Sequence, residues 1–111
     1  MTTPILRAIT ESGAVWDDPS EDMLFELLTN IESGDETFFI VKRLADASGQ
    51  TYIQVIQNDG RNWTVERREG GSDEHYEVTF PELRLAHRAM TAWAFELPLF
   101  PAPSEWTKVA L

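Results

Sequence analysis

The chain has 111 residues, a formal net charge of −10 and no cysteine, and 42% of its residues are hydrophobic and 11% aromatic. This length suits one domain, residues 1–111, and the apolar content is too high for a disordered chain. Without cysteine, disulfides, a thiolate nucleophile and zinc–cysteine sites are excluded. Because the start lacks a signal-peptide pattern and no apolar stretch approaches the ~20 residues of a membrane span, we expect a soluble, cytoplasmic protein.

Two short apolar stretches open the chain. Ile5–Ile9 and Ala14–Trp16 flank the turn-forming sequence Glu11-Ser12-Gly13, which predicts a hairpin or an extended strand arm. This segment is therefore the first candidate for a β element.

A helix is predicted next, because Asp18 can cap it and Pro19 suits the first helical position. The pattern continues to about Ile31, and Ser33-Gly34 ends it. The apolar residues lie at the i, i+3, i+4, i+7 spacing of one buried face, namely Leu24, Leu27, Leu28 and Ile31.

Four strand-like segments separated by turns follow: Thr37–Leu44, Thr51–Gln57, Trp63–Glu69 and His75–Phe80. Asn58-Asp59-Gly60 predicts a tight hairpin turn, since Asp-Gly supplies positive φ readily. Apolar residues alternate in the last two segments, which is typical of an antiparallel sheet with one buried face.

Pro81-Glu82 opens a second predicted helix, which reaches about Glu96 with an apolar stripe of Leu83, Ala86, Met90, Trp93 and Leu97. The Pro-rich segment Pro98–Pro103 cannot be helical. Residues Glu105–Leu111 could add a terminal strand. The predicted fold class is α+β: a four-stranded antiparallel meander flanked by two helices, with an N-terminal strand arm and an extended Pro-rich C-terminal tail.

The charge is concentrated in one segment. Residues 1–36 contain nine acidic residues and one basic residue, Arg7, whereas the remaining 75 residues contain ten acidic and eight basic ones. Such a segment attracts a cationic partner and repels nucleic acid and anionic membranes. We therefore expect a basic partner protein, no nucleic acid and no membrane, with contacts from Asp17, Asp18, Glu21 and Asp22.

Three aromatic residues lie outside the regular core pattern: Trp16 in the arm, and Phe100 and Trp106 in the tail. They either fasten these segments to the sheet or form an exposed binding hot spot beside the acids. Under the second reading they complete the predicted partner-binding set of Trp16, Asp17, Asp18, Glu21, Asp22, Phe100 and Trp106.

No motif for catalysis or for a cofactor is present. The histidines, His75 and His87, lie in different elements, and the cluster around His75 brings at most two metal ligands to one face of a strand. No phosphate-binding glycine loop or nucleophile motif occurs. We expect no catalytic residues, no metal and no cofactor, so the chain is predicted not to be an enzyme.

Three features of the chain form one pattern: the order of elements, the turn Asn58-Asp59-Gly60 followed by Trp63 and Val65, and the tail segment Glu105-Trp106-Thr107-Lys108. In this pattern the chain resembles small immunity proteins of bacterial polymorphic toxin systems, as found in actinobacteria. The resemblance implies an acidic protein that binds a cognate toxin domain and blocks its active site, without catalytic residues of its own.

Two other functions stay open. The chain could be an accessory module of a larger bacterial assembly or biosynthetic complex that docks or forms a homodimer through its tail and a sheet edge. It could also be an enzyme or small-ligand binder, which would require a cleft with polar groups converging near His75 or His87.

Overall fold

The fold consists of one antiparallel sheet with two helices packed on one of its faces, in a computed structural model that describes residues 3–110. The helices are α1 (Glu21–Glu32) and α2 (Leu83–Ala94). The strands are β1 (Leu6–Thr10), β2 (Val15–Asp17), β3 (Phe38–Arg43), β4 (Thr51–Gln57), β5 (Trp63–Glu69), β6 (His75–Phe80) and β7 (Thr107–Lys108). Their order across the sheet is β2-β1-β3-β4-β5-β6-β7.

The α+β class and the antiparallel sheet predicted from the sequence are confirmed. The predicted four-stranded meander corresponds to β3–β6, which is the central part of a larger, seven-stranded sheet. The predicted N-terminal arm is a hairpin whose first strand, β1, pairs with both β2 and β3. This strand therefore lies inside the sheet, and its Leu6 and Ala8 point into the core on one face.

The core lies between the sheet and the two helices. In the centre of the sheet Val55 is opposite Val65, and Val65 is opposite Val78, so these side chains share one face. Val55 and Val65 are fully buried there beneath the helices. Their neighbours on the uncovered face, Gln54 and Glu66, are only partly buried, which agrees with the predicted alternation.

Helix α1 begins later than the sequence predicts. Ser20 is the N-cap, and its hydroxyl accepts a hydrogen bond from the backbone N–H of Met23 at 3.1 Å. Asp18 cannot cap the helix because its carboxylate accepts the backbone N–H groups of Ile5 and Leu6 at 2.8 and 2.9 Å. Ser20 thus takes the capping role that the sequence assigned to Asp18.

The loop between β4 and β5 is longer than the predicted tight turn. It runs through a short 3₁₀ turn at Asp59–Arg61, and the positive φ of 70° falls on Arg61. The loop is closed by the N–H of Asn58, which donates to the carbonyl of Asn62 at 2.6 Å. Gln57 and Trp63 are the last paired residues of β4 and β5. The loop between the two strands therefore has five residues, not the two of a tight hairpin turn.

The tail packs against the sheet. Phe100 stacks on Phe80 with ring centroids 5.9 Å apart, and Trp106 is 5% exposed. The predicted terminal strand Glu105–Leu111 is reduced to β7, which pairs with β6, and Leu111 lies outside the described residues. Helix α2 ends at Ala94 instead of about Glu96, so Leu97 leaves the predicted buried stripe and is 55% exposed.

Candidate functional site: an acidic helix face beside an apolar groove

Several acidic residues of the N-terminal segment stabilise local structure. Arg7 donates to the carboxylate of Asp17 at 2.6 Å, and this hydrogen bond holds the pKa of Asp17 below its ordinary value. Asp18 binds the two N–H groups at the start of β1. The hydroxyl of Ser12 donates to Glu36 and lowers the pKa of that carboxyl. These carboxylates therefore have partners within the chain.

The carboxylates on the solvent face of α1 form a different group. We call this group the acidic face; its members, all exposed, are Glu21, Asp22, Glu26 and Glu32. Asp22 and Glu26 lie opposite the buried Leu and Ile residues, Glu21 and Glu32 lie at the edge of that buried stripe, and the helix contains no basic residue. Among residues 3–110, the ion pairs are Arg7–Asp17 and Arg67–Glu69, and His75 contacts Glu66, so none of these contacts involves the acidic face.

Helix stability explains only part of the acidic face. Glu21 and Asp22 lie in the first turn, where the positive end of the helix dipole favours carboxylates. Glu32 lies at the last helical position, where the dipole is negative and the final turn holds no basic residue. A carboxylate there costs free energy on the order of a few tenths of a kcal/mol. The acidic face is thus more extensive than capping requires.

An open groove of about 450 Å³ adjoins the first turn of α1. Its walls come from α1, the second half of α2 and the start of the tail, and they include Glu21, Arg88, Leu97 and Phe100. Leu97 is exposed and Phe100 is partly buried, so the groove offers apolar surface beside the acidic face. We call it the tail groove.

Aromatic contacts hold the walls of the tail groove together. The ring of His87 meets Phe25 edge to face at 5.2 Å, and its Nε2–H donates to the carbonyl of Glu21 at 2.9 Å. The guanidinium of Arg88 lies over the ring of Phe100 at 3.9 Å. Since His87 links the two helices and Arg88 covers the tail, both have structural contacts in the groove.

The structure brings together only part of the predicted partner-binding set. Glu21 and Phe100 line the tail groove, and Asp22 follows Glu21 on the acidic face. Trp16 is half-buried on β2, where it packs against the core. Trp106 is buried beside β6, where its indole N–H donates to the carbonyl of Pro101 at 3.1 Å.

The partner-binding set predicted from the sequence lacks four residues that the structure places in the acidic face or the tail groove. Glu26 and Glu32 extend the acidic face, and Leu97 and Arg88 line the groove. The helical phase of Glu26, opposite to the buried stripe, was a usable signal for that residue, whereas Glu32 lies four residues after the buried Leu28 and had no such signal. No local signal marked Leu97, because its exposure depends on where α2 ends.

His75 is held between two neighbours on the uncovered face of the sheet. Arg68 Nε donates to its Nδ1 at 3.0 Å, and its Nε2–H donates to Glu66 at 3.1 Å. Both ring nitrogens are occupied, and the ring is 4% exposed, which gives it little access to a substrate. Within the described residues there is no group of three or more metal-ligating side chains.

Comparison of the chain with protein-family models, with curated proteins and with solved structures gives no match in any of the three. The resemblance to immunity proteins therefore stays a prediction. In the described part of the chain, no helix is long and apolar enough to cross a membrane, since α1 and α2 have 12 residues each.

Proposed function

We propose that this protein is a non-enzymatic, immunity-like binding domain whose acidic face binds a cationic partner protein and inhibits it. The observation that carries the proposal is the acidic face itself: four exposed carboxylates on one helix without a basic residue or an internal ion pair. Glu32 gives the strongest support, because a carboxylate at the C-terminus of a helix is unfavourable next to the negative end of the helix dipole.

The tail groove supports this proposal by adding apolar surface to the charged one. Clustered exposed charges accelerate association with an oppositely charged protein. They contribute little to affinity, because exposed charges stay solvated and water screens their attraction. Affinity comes mainly from buried apolar and aromatic anchors. Leu97 and Phe100 stand next to Glu21, so a partner steered by the acidic face would find such anchors beside it.

The proposal predicts that the acidic face controls the association rate. Changing Glu21, Glu26 and Glu32 to Gln and Asp22 to Asn should slow association with the partner about tenfold or more at low salt and flatten its salt dependence. The rate is measured by stopped-flow mixing with the partner purified from the native host by affinity capture.

A matched control removes the same charge elsewhere. Glu11→Gln, Asp59→Asn, Asp73→Asn and Glu77→Gln together also neutralise four carboxylates, all outside α1. This variant should associate at close to the wild-type rate. If both variants slow association equally, net charge alone matters and the acidic face is not the binding surface.

Inhibition requires a separate measurement. The captured partner should be a basic protein whose own activity is lost on addition of one equivalent of this chain. A partner that retains full activity in the saturated complex would contradict an immunity-like role, although it would leave the binding surface in place.

The alternative function, a docking or dimerising module, is favoured by one observation. Val15 on the short edge strand β2 is 52% exposed, and an edge strand can pair with a second chain. Under this alternative, light scattering after gel filtration should give the mass of a dimer for the wild type. The Val15→Lys variant should give the mass of a monomer. A monomer in the wild type contradicts it.

A further inference from the structure

The face of the sheet opposite the helices carries an apolar patch. In the cross-strand register, Val15 lies opposite Ile9, and Ile9 lies opposite Ile40. Phe38, two residues before Ile40 on β3, lies opposite Ile56. The five side chains therefore share one face of four adjacent strands, with Val15 52% exposed and the others half-buried. We call this group the sheet patch.

The chain itself does not cover the sheet patch. Within the described residues, none of the five belongs to the core cluster or packs against that cluster. The solvated face of an antiparallel sheet normally carries polar residues, as Thr64 and Glu66 do further along this face. A contiguous apolar group on such a face is typical of a surface that another molecule covers.

The charges on this face indicate what kind of molecule covers it. Among the strand residues that the structure describes, the face carries three basic and three acidic side chains, namely Arg7, Lys42, Arg68, Asp17, Glu66 and Glu77. The face is therefore neutral, although the whole chain carries −10. A strongly cationic protein gains no attraction from a neutral face, whereas a second copy of this chain meets no net repulsion there.

Two of these charges, Lys42 and Glu77, lack a partner of opposite sign. Lys42 lies directly opposite Arg7, and Glu77 directly opposite Glu66, and like charges in such positions repel. Arg7 has a carboxylate partner and Glu66 contacts a histidine, but neither Lys42 nor Glu77 forms an ion pair among the described residues. The two lie three strands apart, about 14 Å, which is too far to pair within one chain. Two copies facing each other would pair them twice.

The size of the face suits a small specific interface. Strands are about 4.8 Å apart and residues on one face about 7 Å apart, so the five strands from β2 to β5 present roughly 500 Å². Two copies would bury roughly 1,000 Å² together, which is close to the lower limit for specific interfaces. We therefore expect an association that reverses on dilution.

We propose that a second copy of this chain covers the sheet patch, so that two sheets pack face to face in a two-fold dimer, with Lys42 of each copy beside Glu77 of the other. The helices lie on the far side of each sheet, so both acidic faces and both tail grooves stay open. The dimer is therefore compatible with the proposed function and does not depend on it.

The first test is analytical ultracentrifugation from about 1 µM to about 1 mM protein at about 0.15 M salt, where the acidic faces are screened from each other. The wild type should change from monomer to dimer over this range. Ile40→Lys and Ile56→Lys should each raise the dissociation constant at least about tenfold, because each places a charge in the apolar contact. Leu97→Lys, which adds the same charge to the tail groove, should dimerise as the wild type does.

The results separate this dimer from other arrangements. Melting temperatures at low concentration, close to that of the wild type, confirm that the variants fold. Pairing through the edge of β2 would not respond to Ile56→Lys, because β4 lies three strands from that edge. A wild type that stays monomeric, or a dimer that persists in both Ile40→Lys and Ile56→Lys, overturns the proposal.

A charge exchange tests the proposed ion pair. Lys42→Glu and Glu77→Lys should each weaken the dimer at least about threefold, because each places two like charges together across the interface. The double variant restores opposite charges and should dimerise about as tightly as the wild type. A double variant no tighter than the single ones would overturn the pairing of Lys42 with Glu77.

Discussion

Arg67 places a guanidinium inside the core, where the residue is only 7% exposed. The group lies between the rings of Tyr76 and Trp106, at 4.3 and 4.9 Å, and its ion pair with Glu69 is long at 3.5 Å. Its Nε is buried without a hydrogen-bond partner, and burial lowers the pKa of Arg67 below its ordinary value. The side chain therefore contributes mainly through packing.

Two substitutions of Arg67 should separate packing from charge. Arg67→Ala leaves a gap beneath Trp106 and should lower the free energy of unfolding by about 2–4 kcal/mol. Arg67→Met fills most of that space and removes the unpaired Nε, so it should change stability by about 1 kcal/mol or less. Urea unfolding followed by tryptophan fluorescence measures both. Equal destabilisation by the two variants would show that the charge itself is needed.

At the scale of the elements, Asp46 organises the turn between β3 and β4. Its carboxylate accepts the backbone N–H of Ser48 at 3.0 Å, the hydroxyl of Ser48 at 2.6 Å and that of Thr51 at 2.7 Å. These hydrogen bonds, first the one from the Ser48 hydroxyl and then that from Thr51, lower the pKa of Asp46. The ionised carboxylate is therefore the form that stabilises the turn.

The sign of this pKa shift gives a pH prediction. A lowered pKa in the folded state stabilises the protein above the unfolded value, about pH 4, and that contribution is lost as the pH falls through the folded value. Asp46→Asn should melt at a lower temperature than the wild type at pH 7, and the difference should narrow below about pH 4.

Melting curves between pH 7 and pH 3 test this prediction for the turn. Asp59→Asn is the control, because Asp59 is exposed and no hydrogen bond to its carboxylate is present in the described structure. It should follow the wild-type curve throughout. A difference for Asp46→Asn that stays constant with pH would assign the effect to the side-chain change rather than to ionisation.

At the scale of the whole molecule, the tail completes the core. Trp106 is buried, Phe100 stacks on Phe80, and the N–H of Val109 donates to the carbonyl of His75 at 2.8 Å. The tail therefore packs with the rest of the core, so its removal should destabilise the fold rather than leave a folded domain without a docking segment.

Deletion of residues 98–111 should therefore lower the melting temperature by more than about 10 °C, since the loss of a buried tryptophan alone costs about 3–5 kcal/mol. Near-UV circular dichroism and thermal unfolding are the measurements. Trp106→Phe is the milder control, because it keeps an aromatic ring in the core. A truncated chain that melts with the wild type would contradict the packing described for the tail.

The two helices also give the molecule a charge asymmetry. Helix α1 carries the acidic face, whereas α2 carries Arg84 and Arg88 and has no acidic residue between Leu83 and Ala94. These arginines lie over the rings of Phe25 and Phe100. Under the proposed function, a cationic partner would approach from the α1 side.

The sequence by itself determined the features that depend on local periodicity. The spacing of Leu24, Leu27, Leu28 and Ile31 predicted the buried face of α1, and all four are buried. The alternation of Trp63 and Val65 likewise predicted a covered sheet face, with both residues fully buried. Such patterns are reliable because one turn of helix or one pleat of a strand fixes which side chains share a face.

Only the tertiary structure decided the features that depend on contacts distant in sequence. Asp18 had the local signature of a helix cap, yet it binds the start of β1, 12 and 13 residues away. Trp106 could have been an exposed anchor, but β7 pairs with β6 and the ring enters the core. A small cavity is lined by Ile5, Asp18 and Glu96, which come from three distant parts of the chain. Composition and spacing cannot specify these contacts, because they depend on how segments far apart in the chain meet in the folded protein.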